Sequence, residues 1–95
     1  MRIQVLKKDI RGAMRSSIVN CPVARAVCRE VNDKINTPQG LEEFNPTIDL
    51  SIMVDGDTVR VNEKEYRLSR KMRKNIVAYD NGKAMKPTSF VLKGL

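Results

Sequence analysis

The chain has no histidine and no tryptophan, and its 95 residues include only two tyrosines and two phenylalanines. Histidine is the side chain whose unperturbed pKa lies near neutrality, so a general base here would have to be a carboxylate, thiol or lysine with a strongly shifted pKa. Zinc is also poorly supported, because neither histidine nor a second cysteine pair is present to complete a ligand set. We therefore expect a protein that is not an enzyme and that carries no cofactor or metal.

Cysteine is scarce as well, with only Cys21 and Cys28 present. Both fall on one predicted helix, where a rise of about 1.5 Å per residue puts their Cα atoms about 10 Å apart. An unstrained disulfide needs a shorter separation, so we do not expect a bridge between them. Cys21 lies where the helix begins, a position that stabilises a thiolate, and a reactive nucleophile is one interpretation of it. Because no histidine can act as its base, we expect Cys21 to be a cap or core residue and Cys28 to be core.

No apolar run approaches the roughly 18 residues that a membrane-spanning helix requires. The first residues, Met1–Lys8, alternate apolar and polar side chains and then become charged, which predicts a strand and not a signal peptide. A cytoplasmic location without a membrane partner follows as the expectation. With 41% hydrophobic and 31% charged residues, the chain can bury one modest core, and we predict a single domain over residues 1–95.

Hydrophobic periodicity divides most of the chain into strands and helices. Alternation predicts strands at Met1–Leu6, Ile48–Val54, Thr58–Asn62 and Thr88–Leu92. Three- and four-residue spacing predicts helices at Pro22–Asn32 and Arg70–Tyr79. The second of these helices has Ser69 as its N-cap. Asp55–Asp57 has the composition of a hairpin turn, and Asn36–Pro46 that of an exposed loop.

The resulting order, β-α-β-β-α-β, is compatible with an α+β fold in which an antiparallel sheet carries both helices on one face, as in ferredoxin-like proteins or a related small sandwich. A looser α+β arrangement is the alternative, because the second helix is short. A turn at Glu63–Glu65 and a sheet extension at Tyr66–Leu68 are also predicted, and Asp9 is expected to cap a short turn at Ile10–Met14. Met53 and Val91 would lie on the outer sheet face, which leaves a homodimer open.

The stretch before the first predicted helix combines several anion-binding features. Its candidate ligand residues are Arg11, Arg15, Ser16, Ser17 and Cys21. A helix N-terminus has unpaired N–H groups and a partial positive charge, here at Val23 and Ala24. Guanidinium, hydroxyl and amide groups would together hold a phosphate. No glycine-rich phosphate motif is present, so ordinary loop and cap roles for these residues remain the alternative.

A second basic region lies on and after the predicted helix Arg70–Tyr79. The formal net charge is +7, from 18 basic and 11 acidic residues, and the segment from Tyr66 to Tyr79 holds five basic residues and no acidic one. Such a balance favours anionic partners. The candidate phosphate ligands are Arg70, Lys71, Lys74 and Lys86. A solvated helix face is the alternative, and the scarcity of aromatic side chains argues against base-specific reading of a nucleic acid.

Five short segments follow one another along the chain: K-K-D-I at Lys7–Ile10, C-P-V-A at Cys21–Ala24, Y-R-L-S at Tyr66–Ser69, Y-D-N-G-K at Tyr79–Lys83 and K-P-T-S-F-V-L at Lys86–Leu92. In this series the chain resembles, over nearly its whole length, a group of small proteins encoded by tailed bacteriophages. Members of that group commonly have Leu-Pro where this chain has Leu68-Ser69. They also have a shorter middle loop, so the residues around Asn36–Pro46 correspond to an insertion.

The resemblance implies a context, namely an accessory protein that acts in the cytoplasm of the host cell by stoichiometric binding. Such proteins block a host factor or sequester a defence signal, and many of those signals are nucleotides. The leading hypothesis is a counter-defence or host-takeover inhibitor with a basic anion-binding surface. Its partner would be a nucleotide-like anion, or a host defence or nucleic-acid-processing protein. A general nucleic-acid-binding protein is the alternative, and a reactive-thiol enzyme is a third interpretation.

Overall fold

The computed structural model describes residues 1–35, 51–55 and 57–95, and they form an α+β fold, as predicted. The elements are β1 (Arg2–Val5), α1 (Lys7–Arg11), α2 (Pro22–Ile35), β2 (Ile52–Asp55), β3 (Thr58–Val61), β4 (Lys64–Arg67), α3 (Arg70–Asp80) and β5 (Thr88–Val91). The predicted loop Asn36–Pro46 and the first part of the predicted strand Ile48–Val54 lie outside the described residues. None of the helices in the described ranges combines the length and apolarity needed to cross a bilayer.

The described strands form two antiparallel sheets, and the single sheet of the predicted β-α-β-β-α-β order is not confirmed. In the first sheet, β1 pairs with β5, so that Ile3 lies opposite Phe90. Met1 and Leu92 continue this pairing through two backbone hydrogen bonds of 2.9 Å. The second sheet has the order β2-β3-β4. Alternation along a strand fixes which face is buried but not which strand is its neighbour, so the pattern alone could not separate the two sheets.

The second sheet is a pair of hairpins. Asp55 pairs with Thr58 across the turn predicted at Asp55–Asp57. The next turn lies earlier than Glu63–Glu65, because Val61 pairs with Lys64 and β4 begins at Lys64. Asn62 has a φ of 56°, in the left-handed region that asparagine tolerates better than most residues. The chain therefore reverses direction at Asn62 and Glu63, one residue before the predicted turn.

The helices begin at residues with identifiable caps. α1 starts at Lys7, ahead of the short turn predicted at Ile10–Met14. The N-cap is Leu6 and not Asp9, which is the third residue of the helix and whose Oδ2 accepts a 2.8 Å hydrogen bond from the Leu6 N–H. α3 starts where predicted, and the Ser69 Oγ accepts from the Met72 N–H at 3.3 Å. A hydroxyl at this position satisfies one of the free N–H groups of the first helical turn.

One hydrophobic cluster joins both sheets to α2 and α3. α2 packs against β1, α1 and β2, and it buries a wider face than its spacing predicted, since Val23 and Ala26 are fully buried beside Val27. Cys28, which was expected in the core, is only partly buried at its margin. α3 contributes Met72, Ile76 and Tyr79 and leaves its remaining faces to solvent.

An ion pair fixes α1 against α2. Asp9 is the buried charged residue of the described core, at 4% exposure. The Arg29 Nη2 lies 3.1 Å from the Asp9 Oδ2 and also donates to the Gln4 carbonyl at 2.6 Å. The hydrogen bond to Asp9 raises the pKa of Arg29, and the nearby charges of Asp9 and Glu30 add to the effect. The Arg25 Nε donates to the Asp9 carbonyl at 3.0 Å, so both arginines of α2 have structural partners.

Candidate anion-binding groove

Arg15, the central cation of the first predicted anion site, lies against the end of α3. Its Nη1 donates to the carbonyl of Tyr79 and, at 3.0 Å, to that of Lys83. The guanidinium carbon lies 4.3 Å from the centroid of the Tyr79 ring. Carbonyl groups at a helix C-terminus lack partners within the helix and attract cations. The structure thus places Arg15 as a cap of α3, while a ligand role for it stays a prediction.

The two serines of the same site are also engaged with protein groups. The Ser16 N–H donates to the Asp80 Oδ1 at 2.8 Å, and the Ser17 Oγ accepts from the Asn20 N–H at 3.0 Å. Arg11 is exposed at the end of α1. The predicted residues are therefore near one another in the chain, but their recorded contacts do not converge on a common anion position.

Cys21 lies at the start of α2 and is 3% exposed. Its Sγ accepts from the Ala24 N–H at 3.4 Å, so one of the amides predicted to face an anion has a protein acceptor. Burial is the largest influence on this thiol and raises its pKa. The Asp80 charge adds to the increase, while hydrogen bonds from the Ala24 and Val23 amides oppose it. A protonated, buried thiol fits the cap or core interpretation better than the nucleophile.

The second predicted region is divided between two neighbouring depressions along α3, and Ala78 lines both. Lys71 and Lys86 line a depression of about 300 Å³. Arg70 and Lys74 line a depression of about 520 Å³. We call the latter the α3 groove, and its main lining residues are Arg70, Arg73, Lys74, Val77, Ala78 and Lys83. The structure therefore brings together only part of the predicted basic face.

Arg73 and Lys83 complete the α3 groove, and both belong to the predicted basic region, although neither is among its candidate phosphate ligands. For Arg73 the signal was present, because residues 70, 73, 74 and 77 follow the three- and four-residue spacing of one helix face. For Lys83 the sequence shows a basic residue after the helix, but its position in the groove depends on the path of the chain after α3.

Three cations of the α3 groove lie near the N-terminal end of α3, where the helix dipole makes positive charge unfavourable. α3 has no acidic residue in its first turn, and Arg70, Arg73 and Lys74 all fall in its N-terminal half. A cation near a helix N-terminus is typically unfavourable by about 0.3–1 kcal/mol. The arrangement concentrates positive potential where α3 is already positive, which suits an anion at the groove.

Arg73 is the most constrained of these cations. Its side chain is 29% exposed, and its Nη1 lies 3.8 Å from the Oδ1 of Asp57, an aspartate that is itself 68% exposed. Its Nε is buried without a hydrogen-bond acceptor among the described residues. A buried donor left unpaired costs about 1–3 kcal/mol. Because the Nε has no contact with solvent, an anion in the groove would pair with the Nη groups of Arg73, whose Nη1 lies beyond hydrogen-bond distance of Asp57.

The floor of the groove is apolar. Val77 is 58% exposed and lies beside Ala78, between the cations of the helix and Lys83. Phosphates at the cations and an apolar or planar group on the floor could thus be held together. Within the described ranges, no group of three or more histidine, cysteine or acidic side chains is placed to hold a metal.

A larger depression of about 700 Å³ lies beside α1 and α2 and includes Arg25 and Arg29. Both guanidinium groups donate to acceptors of the protein there, so the site is less suited to an anion than the α3 groove despite its size.

Comparison with known proteins finds no matching family model, no matching curated protein and no matching solved structure.

Proposed function

We propose that the protein is a non-enzymatic binding protein that holds a nucleotide-like anion stoichiometrically in the α3 groove. The observation that carries this proposal is the Arg73 guanidinium, whose Nη1 lies 3.8 Å from the Asp57 carboxylate, too far for a hydrogen bond. Arg70, Lys74 and Lys83 line the same groove and supply further positive charge. Phosphate oxygens would satisfy several of these donors at once.

Such binding agrees with the resemblance to small phage proteins. A protein that sequesters a nucleotide signal acts in proportion to its amount and needs no catalytic group. The same basic surface could also inhibit a host nucleic-acid enzyme by binding the phosphates of that enzyme's substrate. Mimicry of DNA is not part of the proposal, because it would require an acidic surface and this chain has a net charge of +7.

A general nucleic-acid-binding protein is the second candidate. The observation that favours it is the pair Lys71 and Lys86, which line a second depression beside the α3 groove, with Ala78 lining both. A long phosphate backbone could contact cations in both depressions, whereas a nucleotide in the α3 groove would not use the second one. The two candidates therefore differ in the residues that they require.

The test compares two double variants with equal loss of charge. Arg70→Gln with Lys74→Gln removes two groove cations, while Arg67→Gln with Lys93→Gln removes two exposed cations from elsewhere. Binding of a mixture of the four ribonucleoside diphosphates is measured by equilibrium dialysis. We expect the groove variant to bind at least about tenfold more weakly and the control to stay close to the wild type. Equal losses in both variants would show a response to net charge alone and would contradict the proposal.

Salt dependence separates the two candidates. A general nucleic-acid-binding protein releases counterions, so the logarithm of its affinity falls with the logarithm of salt with a slope of about −0.7 for each phosphate neutralised on a single strand. For a nucleotide in the α3 groove we expect a shallow slope and little effect of Lys71→Gln with Lys86→Gln. A steep slope together with strong weakening in that variant would favour the second candidate.

A further inference from the structure

The cations of the α3 groove lie at its two ends. Arg70, Arg73 and Lys74 belong to the N-terminal half of α3, whereas Lys83 follows the C-cap of the helix at Asn81. From residue 74 to residue 81 the helix rises by about 10 Å. Between the two ends lie the side chains of the apolar floor. The groove therefore presents two separate positions for negative charge with an apolar surface between them.

We propose that the ligand of the α3 groove is a dinucleotide, in which two phosphate groups are separated by a nucleoside. This inference rests on the proposed function and specifies the chemical class of the ligand. One phosphate would lie at Arg73 and its neighbours and the other at Lys83. The nucleoside between them would cover Val77, whose side chain is 58% exposed.

A ligand with adjacent phosphates fits the groove less completely. The phosphates of a nucleoside diphosphate share one end, so they pair with the three cations of α3 and leave Lys83 without an anion. Asn81 lines the groove near the second end and offers both a donor and an acceptor to a base or a sugar hydroxyl. These groups add contacts that only a ligand spanning the groove can use.

A long nucleic-acid strand is disfavoured beyond the end of the groove at which Arg73 lies. The adjoining hairpin carries Asp55 and Asp57, both exposed, and Asp57 lines the groove itself beside Arg73. The Asp57 carboxylate at this point repels a phosphate backbone that continues past Arg73. The groove is thus closed electrostatically at one end to a polyanion, while a dinucleotide would end there.

The test uses the full chain and three mixed-base probes, so that no outcome depends on the choice of base. The probes are 5′-phosphorylated diribonucleotides of every base combination, the four nucleoside diphosphates, and a mixed-sequence oligonucleotide several times longer. The diphosphates carry a similar charge to the dinucleotides but have adjacent phosphates. We expect the wild type to bind the dinucleotides about tenfold or more tightly than the diphosphates.

Lys83→Gln is the diagnostic variant, because it removes only the cation of the second end. We expect it to reduce the affinity for dinucleotides to the level of the diphosphates, whose own affinity falls much less because their phosphates lie at the other end of the groove. Lys93→Gln, an exposed lysine outside the groove, is the matched control and should leave both affinities unchanged.

The other outcomes overturn the inference in distinguishable ways. Equal affinity of the wild type for dinucleotides and diphosphates, or an equal loss of both in Lys83→Gln, would reject the dinucleotide and leave the proposed function intact. Clear preference for the long oligonucleotide would reject it in favour of nucleic-acid binding. Binding of none of the probes would reject the proposed function as well.

Discussion

At the scale of single residues, the reactivity of Cys21 distinguishes a structural thiol from the nucleophile of an enzyme. Burial raises the pKa of its thiol, so at neutral pH the side chain is protonated as well as inaccessible. We expect iodoacetamide to modify Cys28, which is partly exposed, well before Cys21 in the native protein. Mass spectrometry of peptides after timed labelling measures both rates in one sample.

The same prediction has a consequence for stability at high pH. When the pH rises above the ordinary pKa of a thiol, Cys21 ionises in the unfolded chain but stays protonated in the folded one. The unfolded state is then favoured, and the free energy of unfolding falls with pH. Replacement by alanine should remove this part of the pH dependence. Rapid labelling of Cys21 without denaturant would contradict the prediction and support a reactive thiol.

At the scale of elements, Arg15 connects the loop before α2 to the C-terminal end of α3. We expect Arg15→Lys to lower the free energy of unfolding by about 1–2 kcal/mol, because lysine cannot reproduce the planar guanidinium that donates to two carbonyls and covers the Tyr79 ring. Urea denaturation measures the loss. Arg11→Lys, at an exposed position of the same stretch, is the matched control and should have little effect.

This substitution also tests the ligand role predicted for Arg15. A cap residue affects stability and leaves the affinity of the folded protein for nucleotides almost unchanged. If Arg15→Lys weakened nucleotide binding while the stability stayed at the wild-type value, the first predicted anion site would be supported. The two readouts are independent, so a single pair of measurements assigns the residue to one role.

α3 also illustrates how much of the fold and the site the sequence could predict. Its start, its Ser69 cap and its basic residues follow from local spacing, because these features depend on neighbours three or four residues away. The contacts of Arg15 with Tyr79 join residues 64 positions apart, and local spacing carries no information about them. For the same reason the pairing of β1 with β5 and the position of Lys83 in the groove could be learned only from the fold.

At the scale of the whole molecule, the proposed binding function of the α3 groove would conflict with stability. The chain has a net charge of +7, and the groove adds cations at the positive end of α3. We expect Arg70→Gln with Lys74→Gln to raise the free energy of unfolding at low salt by about 0.5–2 kcal/mol while it weakens ligand binding. The control pair Arg67→Gln with Lys93→Gln lowers the net charge equally but lies outside α3.

Added salt distinguishes two sources of the gain in stability, namely the lower net charge and the removal of cations from the N-terminal half of α3. Screening weakens repulsion between all exposed cations, so the wild type should become more stable as salt increases, and the advantage of the groove variant should shrink. Urea denaturation of the wild type and both variants at two salt concentrations gives the comparison. If the control pair were stabilised as much as the groove pair, net charge would explain the gain. Greater stabilisation of the groove pair alone would mean that the molecule retains its basic groove at a cost in stability, as expected when the anion that offsets this cost is the ligand.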